Sequence, residues 1–264
     1  MAEIELREVS LKYLSLFGET HALSNLSLSV EQGQFVGIVG PSGCGKSTLL
    51  SLIAGMIRPT SGQVLIAGRP VTGPTADVGY MLQQDFLFEW RTIESNCHLG
   101  LELTGQKNPA RLQAVAQMLE DYGLGAFRRS FPCQLSGGMR QRAALIRTLA
   151  INPRVLLLDE PFSALDYQTR LTMQVEVSSI LRDAGKTVLL VTHDIAEAVA
   201  MCDRIIVLSK RPGTVKADVM IELGEKRPGP MEARKSPAFG RYFNRIWEEL
   251  DVHVQPVGAL AEKG

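Results

Sequence analysis

Apolar and polar positions in the first third of the chain recur in short strand-like runs separated by turns. Residues 26–30 alternate apolar with polar and stop at Glu31-Gln32-Gly33, the pattern of a half-buried strand ending in a turn. Residues 34–39 form a second apolar run that enters a glycine-rich loop. Residues 46–56 then read as a helix with Leu49, Leu50, Leu52 and Ile53 on or near its buried face, and 62–68 and 78–82 as further strands. From about residue 90 the period changes. Leu112, Val115, Ala116 and Leu119 fall at helical spacing within 109–122, and 139–150 is a second strong helix, so about 90–150 reads as a mostly helical insert. Strand-like runs return at 155–158, 187–191 and 204–208, separated by a helix from about 167 to 184 and by a shorter one. Strand–helix alternation of this kind predicts an α/β fold whose parallel sheet is covered by helices. Residues 225–237, rich in proline, glycine and charge, read as a surface loop. Beyond it Phe239, Tyr242, Phe243, Ile246, Trp247 and Leu250 step by three and four, an amphipathic helix whose apolar side packs on its own domain or receives a partner.

Composition narrows the function classes. The 264 residues carry a formal net charge of +0, so the global basic field expected of a nucleic-acid binder is missing. No run approaches the roughly 20 apolar residues that cross a bilayer. The N-terminus lacks the basic-then-apolar pattern of a secretory signal. Cys44, Cys97, Cys133 and Cys202 lie far apart without a CxxC pair, which suits reduced thiols in the cytoplasm and neither a disulfide framework nor a zinc site.

Chemistry concentrates in two segments. Gly40-Pro41-Ser42-Gly43-Cys44-Gly45-Lys46-Ser47-Thr48 fits GxxxxGK[ST] between an apolar strand and a helix, the context the motif requires. Its glycines let successive N–H groups curl inward around phosphate oxygens, and the helix adds its positive end. Lys46 is placed to reach outer phosphates and Ser47 to ligate Mg²⁺. Cys44, among those N–H groups and beside Lys46, is either a thiol of lowered pKa or a small residue filling the loop. The second segment is the apolar run 155–158 ending in Asp159-Glu160. There Asp159 is a candidate magnesium ligand and Glu160 a general base that orients the attacking water.

Leu135-Ser136-Gly137-Gly138-Met139-Arg140-Gln141-Arg142 then resembles the signature motif of the ABC ATPases, and further motifs of that family stand in order. Gln83, or its neighbour Gln84, resembles the glutamine that senses metal and γ-phosphate. Ser163-Ala164-Leu165-Asp166 resembles the D-loop, and His193 the switch histidine. Tyr13, with Phe17 as competitor, is similar to the aromatic that stacks on adenine. The resemblance covers roughly residues 3–225. It implies a P-loop NTPase of ABC type: a mixed sheet, an antiparallel β subdomain and the inserted helical subdomain, followed by 226–264 as a C-terminal loop and amphipathic helix. It also implies that Ser136, Gly137 and Gly138 serve the nucleotide of a second ATPase subunit across a head-to-tail dimer. Met139 stands where the family commonly has glutamine, and Phe88-Glu89-Trp90 where many importers have an apolar residue, proline and tryptophan.

Soluble ABC proteins that act on DNA or the ribosome usually carry two ATPase halves or an internal coiled coil, and neither pattern is present. A GTPase would need an Asn-Lys-x-Asp motif, which is missing. The resemblance is to importer subunits for nitrate, sulfonate, taurine and related small anions, with thiamine-precursor importers as the alternative. It implies separate permease subunits and, indirectly, a solute-binding protein as partners, no nucleic acid, and a position at the cytoplasmic face of the membrane. Only 56 residues follow the last predicted strand, from which no regulatory domain is expected. The segment 85–90 places Phe86, Phe88 and Trp90 beside the sensor glutamine, either to pack a junction between lobes or to receive a permease helix.

Overall fold

The computed structural model describes residues 2–15, 18–224 and 226–250. Phe17 and residues 251–264 lie outside that range. Two sheets form the frame. The antiparallel one has the order β2-β1-β4-β5, with β1 Ala2–Ser15, β2 Gly18–Glu31, β4 Ser61–Ile66 and β5 Arg69–Pro70. The larger has the order β10-β9-β3-β8-β7-β6, with β3 Phe35–Val39, β6 Val78–Met81, β7 Val155–Asp159, β8 Thr187–Val191, β9 Arg204–Leu208 and β10 Val215–Met220. Its strands pair in parallel except at the β9–β10 edge, so the mixed and antiparallel sheets the sequence predicts are both present.

Strands β3, β7 and β8 are buried at every position, the mark of central parallel strands covered on both faces. Their side chains divide by the period of two. Val155 and Leu157 join the core under the antiparallel sheet and helix α1 (Lys46–Ile53), whereas Leu156 and Leu158 join the core under the other helices. Between β6 and β7 the chain inserts α2 (Ile93–Leu103), α3 (Pro109–Asp121) and α4 (Gly137–Leu149). Side chains cap each start: Thr92 accepts from Ser95 N, Asn108 from Arg111 N and Ser136 from Met139 N. Helix α5 (Tyr167–Asp183) and α6 (Ile195–Met201) follow β7 and β8, capped by Asp166 and Asp194.

Two expectations change. Residues 225–237 are not wholly a surface loop. They contain a short helix, α7 (Pro230–Ala233), with Ala233 fully buried, and Arg227 donates to Val199 O at 2.7 Å. Proline at the first helical position and a short apolar contact hide a helix in a composition that reads as loop. The amphipathic helix is present as α8 (Phe239–Glu249), with Tyr242 and Ile246 buried against its own domain. Trp247 is not part of the buried side: it is 41% exposed and stacks on Phe243. Strand β10 was not predicted from sequence, although 215–219 alternate apolar with polar and burial follows that alternation; it is a short edge strand with only Val219 of its six residues buried.

Candidate functional site

The neighbour order β3-β8-β7 decides the site. Chain leaving the carboxyl ends of these three parallel strands supplies residues 40–48, His193 and Asp159-Glu160, and ligands bind at such ends. A cavity of about 390 Å³ opens there, lined by Tyr13, Ala22, Gly40, Ser42, Gly43, Gly45, Lys46, Ser47, Thr48, Glu160, His193 and Arg211. A larger open groove of about 940 Å³ on the antiparallel sheet is lined by both acids and bases, Glu5, Arg7, Glu8 and Arg204 among them, and gathers none of the candidate chemistry.

Gly45 caps α1 without a side chain, so the first N–H groups of that helix meet no side-chain cap and face the cavity. Glycine is required at this point: φ is 109°, and a Cβ would stand 2.7 Å from Leu23 Cδ2. Lys46 is 8% exposed and folds back on the loop, donating to Gly40 O at 2.8 Å and Pro41 O at 3.0 Å. Its ammonium stands in the curl where a phosphate chain would lie. Tyr13 is exposed at the cavity mouth, with its hydroxyl 3.3 Å from Thr48 Oγ1, and is not a core aromatic.

Cys44 corrects an expectation. It is 1% exposed beneath the loop, and burial raises its thiol pKa, Lys46 opposing the shift only in part. The desolvation of a thiolate outweighs the neighbouring charge, so Cys44 fills the loop from below and does not line the cavity.

The two acids after β7 have different surroundings. Asp159 is buried, and the Tyr80 hydroxyl donates to its Oδ2 at 3.3 Å. Burial raises its pKa, and the Ser47 and Tyr80 hydroxyls oppose the rise. Among the described residues no cluster of three His, Cys, Asp or Glu side chains could hold a metal. Mg²⁺ does not need one: it keeps several waters and takes one or two protein oxygens beside substrate phosphates. The Ser47 hydroxyl and the Asp159 carboxylate are hard oxygens, close enough for the hydroxyl to oppose the rise in the carboxyl's pKa, and they fit that requirement.

Glu160 adopts φ 48°, a left-handed conformation costly for a non-glycine residue, and its N–H donates to Val191 O at 2.9 Å. That turn aims its carboxylate at Gln83 and His193. Gln83 Nε2 donates to Glu160 Oε2 at 3.1 Å, and His193 Nδ1 stands 3.1 Å from the same oxygen. Gln83 is thus engaged through its amide nitrogen by the carboxylate of Glu160, with Ser163 Oγ 3.5 Å away. Gln84 and Gln83 both line a second cavity with Arg140, Glu160 and Ser163.

Ser136, Gly137 and Gly138 do not line the cavity of Lys46. They form the exposed start of α4, where Ser136 Oγ accepts from Met139 N at 3.4 Å. Asp166 caps α5 through Thr169 N at 3.1 Å, and the Thr169 side chain together with that N–H holds its carboxyl below the usual range. Pro41 stays within the loop backbone, its carbonyl held by Lys46. Sequence reading missed Tyr80, Ala22 and Arg211, none of which belongs to a local motif.

Comparison with known proteins agrees with this frame. The ABC transporter family profile matches residues 23–163. The uncharacterised ABC transporter ATP-binding protein YtlC of Bacillus subtilis is 45% identical over 95% of this chain and 96% of its own length. The nitrate import ATP-binding protein NrtD of a Synechocystis strain is 40% identical, covering 92% of this chain and 93% of its own. The taurine import ATP-binding protein TauB of Yersinia pestis is 46% identical, covering 78% and 80%. The dimeric ATP-binding cassette MJ0796, in a post-hydrolysis state bound to ADP and Pi, superposes with a TM-score of 0.73 at 33% identity, over 83% of this chain and 99% of that one. A glycine loop, an acid pair and a histidine brought together by one sheet order, in a chain so close to these proteins over most of its length, belong to an ATPase of the ABC transporter family, in the group that includes taurine and nitrate import ATP-binding proteins.

Proposed function

We propose that this chain is the motor subunit of an importer, closing head to tail with a second ATPase subunit over ATP to drive a small anionic solute through separate permease subunits. One observation carries the reading. Lys46, Asp159, Glu160 and His193 share one sheet end, while the Ser136-Gly137-Gly138 start of α4 is exposed and stands outside that cavity. A helix start with two glycines offers N–H groups to an anion, and in this reading the anion is the nucleotide of the partner subunit. A homodimer is the simplest assembly that meets the requirement.

Ser47 and Asp159 would hold Mg²⁺, which supplies charge neutralisation at the outer phosphates. The N–H groups of residues 40–48 and Lys46 bind the phosphate chain, and Tyr13 stacks on the base. Glu160 orients water and accepts its proton. Its Oε2 is held by both Gln83 and His193, so the direction of the carboxylate depends on both. A change at the base on nucleotide binding would reach Gln83, and Asp85, two positions on, accepts from Arg140 Nε on α4 at 3.0 Å. Nucleotide arrival thereby moves the helical insert.

Among the described residues no helix is long and apolar enough to cross a membrane. The place of the chain is peripheral, on the cytoplasmic face, with a solute-binding protein delivering solute from the other side. The taurine and nitrate relatives support a small anionic solute, and a thiamine precursor is the alternative.

Glu160→Gln tests the reading. With ATP and Mg²⁺ it should hydrolyse at least about a hundredfold more slowly and accumulate as a dimer on size exclusion. Adding Ser136→Arg in the same chain should abolish the dimer and leave nucleotide binding by the monomer intact. Wild-type turnover by Glu160→Gln, or loss of monomer binding in the double variant, would sink it.

A further inference from the structure

Arg211 stands in the wall of the cavity and belongs to no motif. It lies in the segment between β9 and β10, which is fastened on several sides. Ser209 Oγ lies 2.9 Å from Thr214 Oγ1 and donates toward Pro212 O. Gly213 N donates to Ala22 O at 2.9 Å, and Gly213 O accepts from Ser24 N at 3.1 Å, which joins the segment to β2. A Cβ on Gly213 would stand 2.3 Å from Cys44 O, so only glycine lets the segment close on the phosphate loop. Arg211 itself donates from Nε to Gly43 O at 3.1 Å.

That single bond leaves the two terminal nitrogens of the guanidinium available, and a neutral carbonyl cancels none of its charge. Among the described residues Arg211 has no acidic partner. One terminal nitrogen lies 3.4 Å from where a Cβ on Gly43 would stand, so this exposed side chain lays one edge of its guanidinium beside the curl of the loop. A permanently charged, planar donor fork, held beside N–H groups that face an anion, is suited to bidentate phosphate binding. Lys46 alone is a point charge for a ligand that carries several negative charges.

We infer that Arg211 is a nucleotide-binding residue of its own chain, a second cation beside Lys46 for the phosphate chain of the bound nucleotide. The inference rests on reading this cavity as the nucleotide site. The sheet order adds a direction. Arg211 follows β9 on one side of β3, whereas His193 and Glu160 follow β8 and β7 on the other. It therefore approaches the phosphates away from the hydrolysed end and acts on binding common to ADP and ATP, not on the hydrolytic step.

Calorimetric titration of wild type, Arg211→Ala, Arg211→Lys and Lys46→Ala with ADP, a non-hydrolysable ATP analogue and adenosine tests this. Arg211→Ala should bind both phosphorylated ligands about tenfold more weakly and adenosine unchanged, and Arg211→Lys should recover part of the loss. The ratio of wild-type to Arg211→Ala affinity should shrink as salt is raised. Unchanged ADP affinity, equal weakening of adenosine, or a ratio indifferent to salt would overturn the assignment, the last two marking a role in loop shape alone. If wild type binds no ADP, or Lys46→Ala binds it as well as wild type, the cavity is not the nucleotide site and the broader reading fails first.

Discussion

Glu197 shows how strongly burial rules at the level of single residues. It lies on α6, four positions after His193, and is 3% exposed. Gln174 Nε2 donates to its Oε2 at 3.0 Å, while Oε1 finds no partner. Burial pushes the carboxyl up to about 7, and Asp194 adds to the rise; Thr192, Gln174 and Arg170 oppose it. The folded chain therefore holds this proton more tightly than the unfolded chain, whose carboxyl titrates near 4.5. Stability from Glu197 is full below that lower value and is lost as pH rises through about 7, by at most about 3 kcal/mol. Glu197→Gln keeps the shape and removes the titration. Melting temperature should fall from about pH 5 to about pH 8 more steeply in wild type than in Glu197→Gln. Parallel slopes in the two proteins would show that Glu197 stays ionised in the fold. Gln174 also accepts from Arg234 at 2.8 Å, so the same cluster anchors the segment around α7 to α5 and α6.

Among the elements, the segment between β6 and α2 shows how a loop without regular structure is held. Asn96, fully buried on α2, donates to Phe88 O, Arg91 O and Thr92 O at 3.1 Å each and accepts from Phe88 N at 2.8 Å. Arg147 of α4 donates to Asp85 O at 2.6 Å and Phe86 O at 2.7 Å. The loop is thus stapled to two helices of the insert. Asn96→Ala would leave several buried backbone groups without partners and should cost about 3 kcal/mol, read from the urea midpoint. Asn96→Asp keeps the acceptor and loses the three donations, so it should be comparably destabilised. Wild-type stability in both would mean that water replaces the side chain. Helices α3 and α4 of the insert were legible from the sequence, α3 by its apolar spacing, whereas α2 was not foreseen as a separate helix. This loop was not, because an asparagine that bonds backbone five and eight residues earlier leaves no period.

Across the whole molecule, the question is how closure reaches a permease. Leu87, not foreseen as a core residue, packs the junction, with Phe88 half-buried beside it. Phe86 and Trp90 are 55% and 74% exposed, and Trp90 stacks on Phe88 at 4.8 Å between centroids. The two readings of this segment thus fall on different residues. Phe86 also adopts φ 44°, which turns its ring outward. In the proposed motor, exposed aromatics on a loop tied to Gln83 and α4 would form a surface that moves with the nucleotide. Replacing Phe86 and Trp90 together with alanine should lower transport by the reconstituted importer about tenfold while ATPase of the isolated subunit stays within about twofold. Normal transport by an assembled variant would move the coupling surface elsewhere.

The phosphate loop, the acid pair, the order of the motifs and the α/β class are all determined by the sequence alone. Each depends on backbone freedom or on a period within a few consecutive residues: glycines at a curl, an apolar run before acids, apolar residues three and four apart. Tertiary structure decided the rest. It buried Cys44 and raised its pKa, set Gln83 on Glu160, brought Tyr80 to Asp159, and carried Arg211 from the far side of β9 to Gly43. These contacts join residues tens to more than a hundred positions apart. They exist only because the sheet order makes β9, β3, β8 and β7 neighbours, and no local pattern of apolar and polar residues specifies which strand ends up beside which.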